Sequence, residues 1–238
     1  MSPFLVSAMS VALLSDKISF PPHELAEEDG LLAVGGDLSE ERLLKAYSTG
    51  IFPWYSENSP LLWWSPDPRL VLFPSELKVS RSLRQCIKKD IYLITINTAF
   101  EQIIRCCADS SRKGQSGTWI TEEMIYAYSR LHRSGHAHSV EAWHDGELVG
   151  GLYGIIMGKI FFGESMFATM SNASKVAFVT FVERLAAQGF DLIDCQVKTE
   201  HLVRMGAREI PRSIFLKILK KALSQAPSPV KAERNPIV

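Results

Sequence analysis

The chain has 238 residues, 46% of them apolar, and its 26 basic residues balance its 26 acidic ones. Such values are typical of globular proteins, and every apolar stretch is much shorter than the roughly 20 residues of a transmembrane helix, so a spanning segment is excluded. The four cysteines form no C-x-x-C pair and no disulfide framework, which predicts a cytoplasmic protein in a reducing compartment.

The N-terminal quarter of the chain, residues 1–65, is predicted to form a small separate domain. Its first fifteen residues are apolar but lack the basic start of a signal peptide, and we interpret them as a short extension. A helix over 40–49 is predicted because Ser39 is a suitable N-cap and Gly50 follows the last turn.

Two basic zones follow this acidic start of the chain. Residues 1–60 carry nine acids and three bases, residues 78–113 carry eight bases and three acids, and residues 198–238 carry nine bases and three acids. Because local fields depend on where charges lie, the zero net charge does not exclude a nucleic-acid partner.

The first basic zone predicts a helix with one cationic face. Arg81, Arg84 and Lys88 recur at helical spacing opposite Leu83 and Ile87. This cationic stripe could follow the phosphates of a nucleic acid. The alternative is the solvated face of an ordinary amphipathic helix.

Residues 66–225 are predicted to form an α+β domain. Thr98 and Glu101 form a T-x-x-E capping box, while Thr121 and Gly135 mark the start and end of another helix. The helices predicted in this part of the chain cover 99–110, 122–134, 173–188, 199–205 and 212–223.

The predicted strands suggest a mainly antiparallel sheet. Asp145-Gly146 is a strong hairpin turn, and Met157-Gly158-Lys159 is interpreted as a second one. An antiparallel meander, a helix and a returning parallel strand form the core of the GNAT acyltransferase fold, although other α+β domains share this order. The predicted strands of this sheet cover 90–96, 136–144, 147–157, 159–166 and 190–197.

The Pro- and Ser-containing tail, 226–238, is predicted to be disordered.

Polar residues interrupt two of these apolar strands. Asp194 and Gln196 are two residues apart and should share one face of the sheet, with Ile193 and Cys195 on the other. Glu164 ends an aromatic run in the strand that precedes the 173–188 helix. Buried polar groups need partners, so these three are either hydrogen-bonded core residues or parts of a functional pocket.

Motifs of several enzyme classes are missing from the sequence. It contains no G-x-S-x-G elbow, no P-loop and no G-x-G-x-x-G. His136 and His138 have no third ligand at a recognisable spacing, so no metal site is expected. The junction 170–175 has no glycine to hold a CoA pyrophosphate at the helix start, so CoA is a poor candidate for the acyl donor. The aromatic run before Glu164 and the two basic zones favour an acyl group carried on a nucleic acid.

Several strings, taken in order, resemble the leucyl/phenylalanyl-tRNA-protein transferases over roughly residues 18–220. The resemblance implies a small N-terminal domain, a GNAT-like domain and no metal, nucleotide or CoA cofactor. It also implies transfer of Leu or Phe, with Met as a further donor, from aminoacyl-tRNA to the N-terminal Arg or Lys of proteins destined for N-end rule degradation. The strings are GLLAVGGDLS, GIFPWYS, LLWWSPDPR, GTWIT, HAHSVEAW, ELVGGLYG, FFGESMF, NASK and LIDCQV.

The resemblance assigns the chemistry to three polar residues. It implies that Asp194 and Gln196 activate the acceptor amine and that Glu164 supports them. Because an α-ammonium has a pKa of only about 7.7 to 8.0, a positioned carboxylate has a weakly held proton to remove. Whether Asp194 is the base or positions the amine is left open.

The resemblance also implies contacts with the aminoacyl-tRNA. The terminal adenine would stack on Trp54 and Trp119, whereas Trp63 and Trp64 are assigned to the core. The cationic stripe would contact acceptor-stem phosphates. The transferred side chain would enter an apolar pocket lined by Leu152, Phe161, Met166, Phe181 and Ile193.

The expected partners are therefore leucyl-tRNA, phenylalanyl-tRNA and proteins with N-terminal Arg or Lys, with no membrane and with the chain as a monomer. Three alternatives remain at this point. One is a binding module that sequesters tRNA ends, another is a Fem-like transferase that uses aminoacyl-tRNA on a different amine, and the third is an acyl-CoA N-acyltransferase.

Overall fold

Two β-sheets and their covering helices form the part of the chain that the computed structural model describes, residues 11–57, 59–110 and 120–225. The strands are β1 (Ala12–Leu14), β2 (Leu31–Gly35), β3 (Phe52–Pro53), β4 (Leu62–Trp64), β5 (Arg69–Leu72), β6 (Leu93–Ile96), β7 (Ala137–His144), β8 (Glu147–Met157), β9 (Ile160–Ala168), β10 (Leu192–Gln196) and β11 (Arg208–Ile210). The helices are α1 (Glu40–Ser48), α2 (Arg81–Lys88), α3 (Phe100–Asp109), α4 (Glu122–Arg133), α5 (Ala173–Ala187), α6 (Glu200–Arg204) and α7 (Arg212–Leu223).

The strand order of the larger sheet confirms the predicted α+β, GNAT-like class. The smaller sheet has the order β1-β2-β4-β3, and the larger has β11-β5-β10-β9-β8-β7-β6. Strands β7, β8 and β9 are antiparallel neighbours, α5 follows, and β10 returns parallel to β9. The meander, helix and returning strand are thus present in the predicted order.

Local signals fix most of the element ends. The side chains of Ser39 and Thr121 accept hydrogen bonds from the backbone N–H three residues later, each at 3.3 Å, as predicted. At the β7–β8 turn, Asp145 and Gly146 have φ values of 51° and 81°. Positive φ at both central residues is the requirement of a type I′ hairpin turn.

The capping box predicted for α3 is wrong. The N-cap is Ala99, which has no side-chain cap. Instead the buried carboxylate of Glu141 on β7 accepts the N–H groups of Thr98 and Ala99, both at 3.3 Å. A buried carboxylate needs donors, and this tertiary contact replaces the local cap.

The smaller sheet corrects the interpretation of the first fifteen residues as an extension. Residues 12–14 form β1, which pairs in parallel with β2. The sequence patterns do not predict β1 to β5 or β11, which have two to five residues each. Residues 1–10 and the predicted disordered tail, 226–238, lie outside the described residues. A division into domains 1–65 and 66–225 stays a prediction.

Apolar side chains alternate between the two faces of the larger sheet. Phe162 and Leu192 belong to a cluster of buried residues that also contains Trp63 of the smaller sheet. Phe161 and Ile193 belong to a second cluster, on the side of α2 and α5. Within the described ranges, no helix is both long and apolar enough to cross a bilayer.

Candidate active site

A buried carboxylate and a buried amide meet where β9 and β10 lie side by side. Gln196 Nε2 donates a hydrogen bond to Glu164 Oε1 at 2.9 Å, and each residue is 8% exposed. Ile193 and Cys195 belong to the cluster on the opposite face, as strand alternation predicts. The end of β10 therefore brings two of the predicted site residues together.

Gln196 has an unusual backbone conformation. Its φ is 61°, and the pairing of β10 with β5 shifts register between Asp194 and Gln196. Residues other than Gly rarely adopt this left-handed region, and such strain is concentrated at functional sites. The Gln196 N–H donates to Asp194 Oδ1 at 3.0 Å, which holds the bulge in place.

Asp194 is completely buried and forms an ion pair that the sequence patterns did not predict. Arg69 donates from Nε to Oδ1 at 2.8 Å and from Nη2 to Oδ2 at 2.6 Å. The guanidinium lies over the rings of Phe52 and Phe215, at 4.6 and 4.8 Å from their centroids. Both oxygens of Asp194 are thus paired with a cationic guanidinium, which distinguishes Asp194 from a carboxylate that has only neutral donors.

Glu164 has two further donors, both tyrosines from helices. Tyr47 on α1 donates to Oε1 at 2.8 Å and Tyr128 on α4 donates to Oε2 at 3.2 Å, and the two hydroxyl oxygens also lie in contact with each other. Burial raises the pKa of Tyr47 and of Tyr128 well above the ordinary value. Both therefore stay protonated donors at neutral pH.

The same environment changes the titration of Glu164. Burial raises its pKa to about 7, although the hydrogen bonds from Tyr47, Tyr128 and Gln196 act in the opposite direction. The nearby carboxylate of Asp194 adds a smaller raising effect. A carboxylate with a pKa near neutrality is suited to general acid–base catalysis.

These polar groups border a cavity of about 350 Å³, within the size range of small-molecule sites. Four of the five predicted pocket residues line it, namely Leu152, Phe161, Met166 and Ile193. The fifth, Phe181, lies behind Phe161 with ring centroids 4.9 Å apart in edge contact. Phe178, one turn earlier on α5, lines the cavity instead.

Of the two predicted adenine-stacking residues, Trp54 does not line this cavity. Trp54 is partly buried and packs against Trp64, with ring centroids 5.7 Å apart. Trp119 lies outside the described residues. Trp63 is fully buried, as predicted, whereas Trp64 is only partly buried at the edge of the core.

The cationic stripe is exposed on α2, and its opposite side is packed. Arg81, Arg84 and Lys88 are exposed, whereas Leu83 is buried and Ile87 is partly buried. Both apolar residues join the cluster that contains Phe161 and Ile193 of the cavity wall. The helix that carries the cationic stripe therefore packs on the same apolar cluster that forms part of the cavity wall.

The two histidines singled out in the sequence lie near the start of β7. His138 is buried with its Nδ1 at 3.0 Å from Asn97 Nδ2, and burial lowers its pKa to about 4. His136 precedes β7, and its backbone N–H bonds to Leu131 O. In the described ranges, no three His, Cys, Asp or Glu residues are arranged to hold a metal ion.

Arg69, Tyr47 and Tyr128 are the site residues that sequence reasoning missed. Each sits on an apolar face of its element: Arg69 opens the run RLVL of β5, and the tyrosines lie on the buried sides of α1 and α4. A polar group in a buried position must find a partner. This requirement predicts that each of the three has a buried polar partner, but it does not identify the partner.

The GNAT-like sheet, with a carboxylate and an amide beside an apolar cavity, places the chain among the acyltransferases. A family model described as leucyl/phenylalanyl-tRNA protein transferase matches residues 71–220, and the model of its N-terminal domain matches residues 36–67. The chain belongs to the leucyl/phenylalanyl-tRNA protein transferase family.

Curated relatives agree with this assignment. A leucyl/phenylalanyl-tRNA–protein transferase of Syntrophobacter fumaroxidans is 58% identical over 217 residues, covering 91% of this chain and 93% of its own. One of Myxococcus xanthus is 58% identical over 219 residues, covering 91% and 94%.

Similarity to solved structures is weaker. The structure of L-PGS from Bacillus licheniformis matches with a TM-score of 0.44 and 8% identity, over 83% of this chain and 72% of that one. The fold assignment therefore depends on the strand order described above.

Proposed function

We propose that the chain transfers Leu or Phe from aminoacyl-tRNA to the N-terminal Arg or Lys of an acceptor protein. The observation that carries the proposal is the Glu164–Gln196 pair at the polar end of a cavity with apolar walls. Family membership supplies the donor class. In this proposal the chain acts in the cytoplasm as a monomer and marks its acceptors for N-end rule degradation.

The reaction requires an amine, an ester and a proton acceptor. The acceptor ammonium loses a proton, its nitrogen attacks the ester carbonyl, a C–N bond forms, and the C–O bond to the terminal ribose breaks. The nitrogen then gives up a second proton, and the ribose oxygen takes up one, so that the products are an amide and a ribose hydroxyl. Since the ester is already activated, the main tasks of the protein are to deprotonate the amine and hold it in line.

Gln196 and Glu164 are suited to these two tasks. Gln196 Nε2 is fixed by Glu164, and no described residue donates a hydrogen bond to Gln196 Oε1. This amide oxygen can therefore accept a hydrogen bond from the acceptor amine. Glu164, beside it, takes the proton, while Asp194 acts on the amine only through Gln196.

The apolar part of the cavity supports the choice of Leu and Phe as transferred side chains. Leu152, Phe161 and Ile193 are buried and uncharged and line the same space as Glu164. An apolar pocket distinguishes one methylene by only about 1–3 kcal/mol. We accordingly expect acceptance of several large aliphatic and aromatic side chains, Met among them.

The start of α5 argues against acyl-CoA as the donor. In a CoA site, free N–H groups at this helix start would hold the pyrophosphate. Here β8 packs directly against it: a Cβ added to Gly150 would lie 2.7 Å from Ala173 Cβ and 2.9 Å from Ser174 N. This close packing leaves no space for a pyrophosphate beside Ser174 N.

One experiment tests the proposal against the alternatives. The full chain is incubated with radiolabelled leucyl-tRNA and a peptide with N-terminal Arg, and in parallel with the same peptide beginning with Ala and with a muropeptide. We expect label on the Arg peptide alone. Label on the muropeptide would favour a Fem-like enzyme, and tRNA binding without transfer would favour a binding module.

A further inference from the structure

Arg69 connects the end of β5 to the reacting groups without reaching the cavity itself. Its side chain is 1% exposed and is absent from the cavity wall. Two of its nitrogens bind the two oxygens of Asp194. Asp194 Oδ1 also accepts the Gln196 N–H, and Gln196 Nε2 donates to Glu164.

The orientation of Gln196 depends on this series of contacts. With a φ of 61°, Gln196 is in a conformation that residues other than Gly adopt only when surrounding contacts impose it. The hydrogen bond from its N–H to Asp194 is one such contact. Asp194 can serve as a fixed acceptor only because Arg69 holds both of its oxygens.

The Arg69–Asp194 ion pair contributes more to the geometry of the site than to the stability of the fold. Buried ion pairs contribute little net stability because desolvation offsets their attraction. In addition, Arg69 Nη1 is buried without a hydrogen-bond partner among the described residues, which is unfavourable in itself. Phe52 and Phe215 lie against the guanidinium and restrict its plane.

We propose that Arg69 is a positioning residue for aminoacyl transfer, which holds Asp194 so that Gln196 presents its amide to the acceptor amine and to Glu164. This inference rests on the proposed function. It makes Asp194 a fixed hydrogen-bond acceptor for Gln196 and leaves proton transfer to Glu164. Lysine cannot replace Arg69, because an ammonium has no planar fork for a two-point contact with a carboxylate.

The test uses the full chain, phenylalanyl-tRNA and a peptide with N-terminal Arg. The variants are Arg69→Gln, Arg69→Lys, Asp194→Asn and the double variant Arg69→Gln/Asp194→Asn. We expect each single variant to lower kcat by about 10²-fold, with KM for phenylalanyl-tRNA within about twofold of wild type. Because the two residues act as one unit, the double variant should be no slower than the slower single one.

Arg42 provides the matched control. It is also fully buried and also ion-paired, to Asp37 at 3.1 Å, but Asp37 does not line the cavity, whereas Asp194, the partner of Arg69, does. Arg42→Gln should lower the melting temperature while leaving kcat of the folded protein near wild type. If Arg69→Gln folds poorly, the double variant, which removes both buried charges, still tests the loss of kcat.

If the wild type is active, either of two results would overturn the inference. One is a wild-type kcat in Arg69→Lys or in the folded double variant. The other is a double variant whose loss equals the product of the two single losses, which would mean that Arg69 and Asp194 act independently. A wild-type chain without any transfer would overturn the proposed function, and this inference with it.

Discussion

The hydroxyl of Tyr47 on α1 donates a hydrogen bond to Glu164 Oε1 on β9, at 2.8 Å. A helix that lies between strands β2 and β3 of the smaller sheet in the chain therefore helps to set the titration of a carboxylate in the larger sheet. Together with Tyr128, it stabilises the charged form of Glu164 against the effect of burial.

Replacing either tyrosine should move the pH dependence of transfer. In Tyr47→Phe or Tyr128→Phe the carboxylate loses a donor, so the pKa of Glu164 rises. A hydrogen bond to a charged group is worth about 1.5–3 kcal/mol, so the acid limb of the kcat–pH profile should move up by about one to two pH units. Tyr126→Phe, on the exposed side of α4, is the control, and an unmoved limb in both site variants would contradict the prediction.

Glu164 should also make folding stability depend on pH. Its pKa is about 7 in the folded chain against an ordinary 4.5, so the folded state holds the proton more tightly. The stabilisation is complete below about pH 4.5 and is lost as the pH rises through about 7. Relative to Glu164→Gln, which cannot titrate, wild type should lose about 3 kcal/mol of unfolding free energy between these pH values.

Urea unfolding of wild type and Glu164→Gln at several pH values measures this difference. Comparing the two proteins cancels the contributions of all other titrating groups. A difference that stays constant from pH 4.5 to 7, or one that changes in the opposite direction, would show that the carboxylate is not perturbed in this way.

Loss of the Gln196 amide should reduce the rate and leave tRNA affinity unchanged. We expect Gln196→Ala to lower kcat by about 10²-fold or more, because the amine loses its alignment. Asp191→Asn, whose carboxylate bonds Gln225 away from the cavity, should behave as wild type. Single-turnover rates at saturating phenylalanyl-tRNA give the measurement, and wild-type turnover in Gln196→Ala would refute the assigned role.

Gly163 offers a test of pocket size. A Cβ added there would meet Asp194 O and Phe161 Cε1 at 3.7 Å, which is ordinary contact, so Gly163→Ala should fold normally. Because Gly163 lines the cavity, the methyl group should lower transfer of Phe more than transfer of Leu. Gly154→Ala is the contrasting variant, since its Cβ would lie 2.1 Å from Phe162 O and should prevent folding.

The predictable parts of the fold are those with long, periodic patterns. The eleven residues of β8 begin and end where strand alternation and two turn signals place them. By contrast, β5 has four residues, all buried, and such a short run carries no period. The role of Arg69, the first residue of β5, depends on its ion pair with Asp194, which lies 125 positions later in the chain.

The site, like the fold, is only partly predictable from the sequence. Strand alternation in β10 predicts which residues face Glu164, but it cannot predict the left-handed backbone of Gln196, which tertiary contacts impose. Strand alternation also does not indicate that the buried Arg69 forms an ion pair with the carboxylate of Asp194. In the proposed function the proton acceptor is Glu164, whereas the resemblance assigns activation of the amine to Asp194 and Gln196 and leaves open whether Asp194 is the base.

The cationic stripe of α2 should bind acceptor-stem phosphates, because the ester lies at the tRNA terminus and the stem must leave the cavity across a neighbouring surface. Neutralising Arg81, Arg84 and Lys88 together should weaken the binding of every isoacceptor alike. It should also flatten the slope of log K against log salt by roughly 0.7 to 0.9 for each phosphate that the protein no longer neutralises.

A matched variant and a short donor separate this effect from general damage. Neutralising Lys217, Lys220 and Lys221, which are exposed on α7, removes the same charge at a different place and should change the slope much less. Phenylalanyl-adenosine has no acceptor stem, so its turnover should be the same in wild type and in both triple variants. If the α2 variant were equally impaired with the short donor and with full tRNA, or kept an unchanged salt slope, the stripe would be only a solvated helix face.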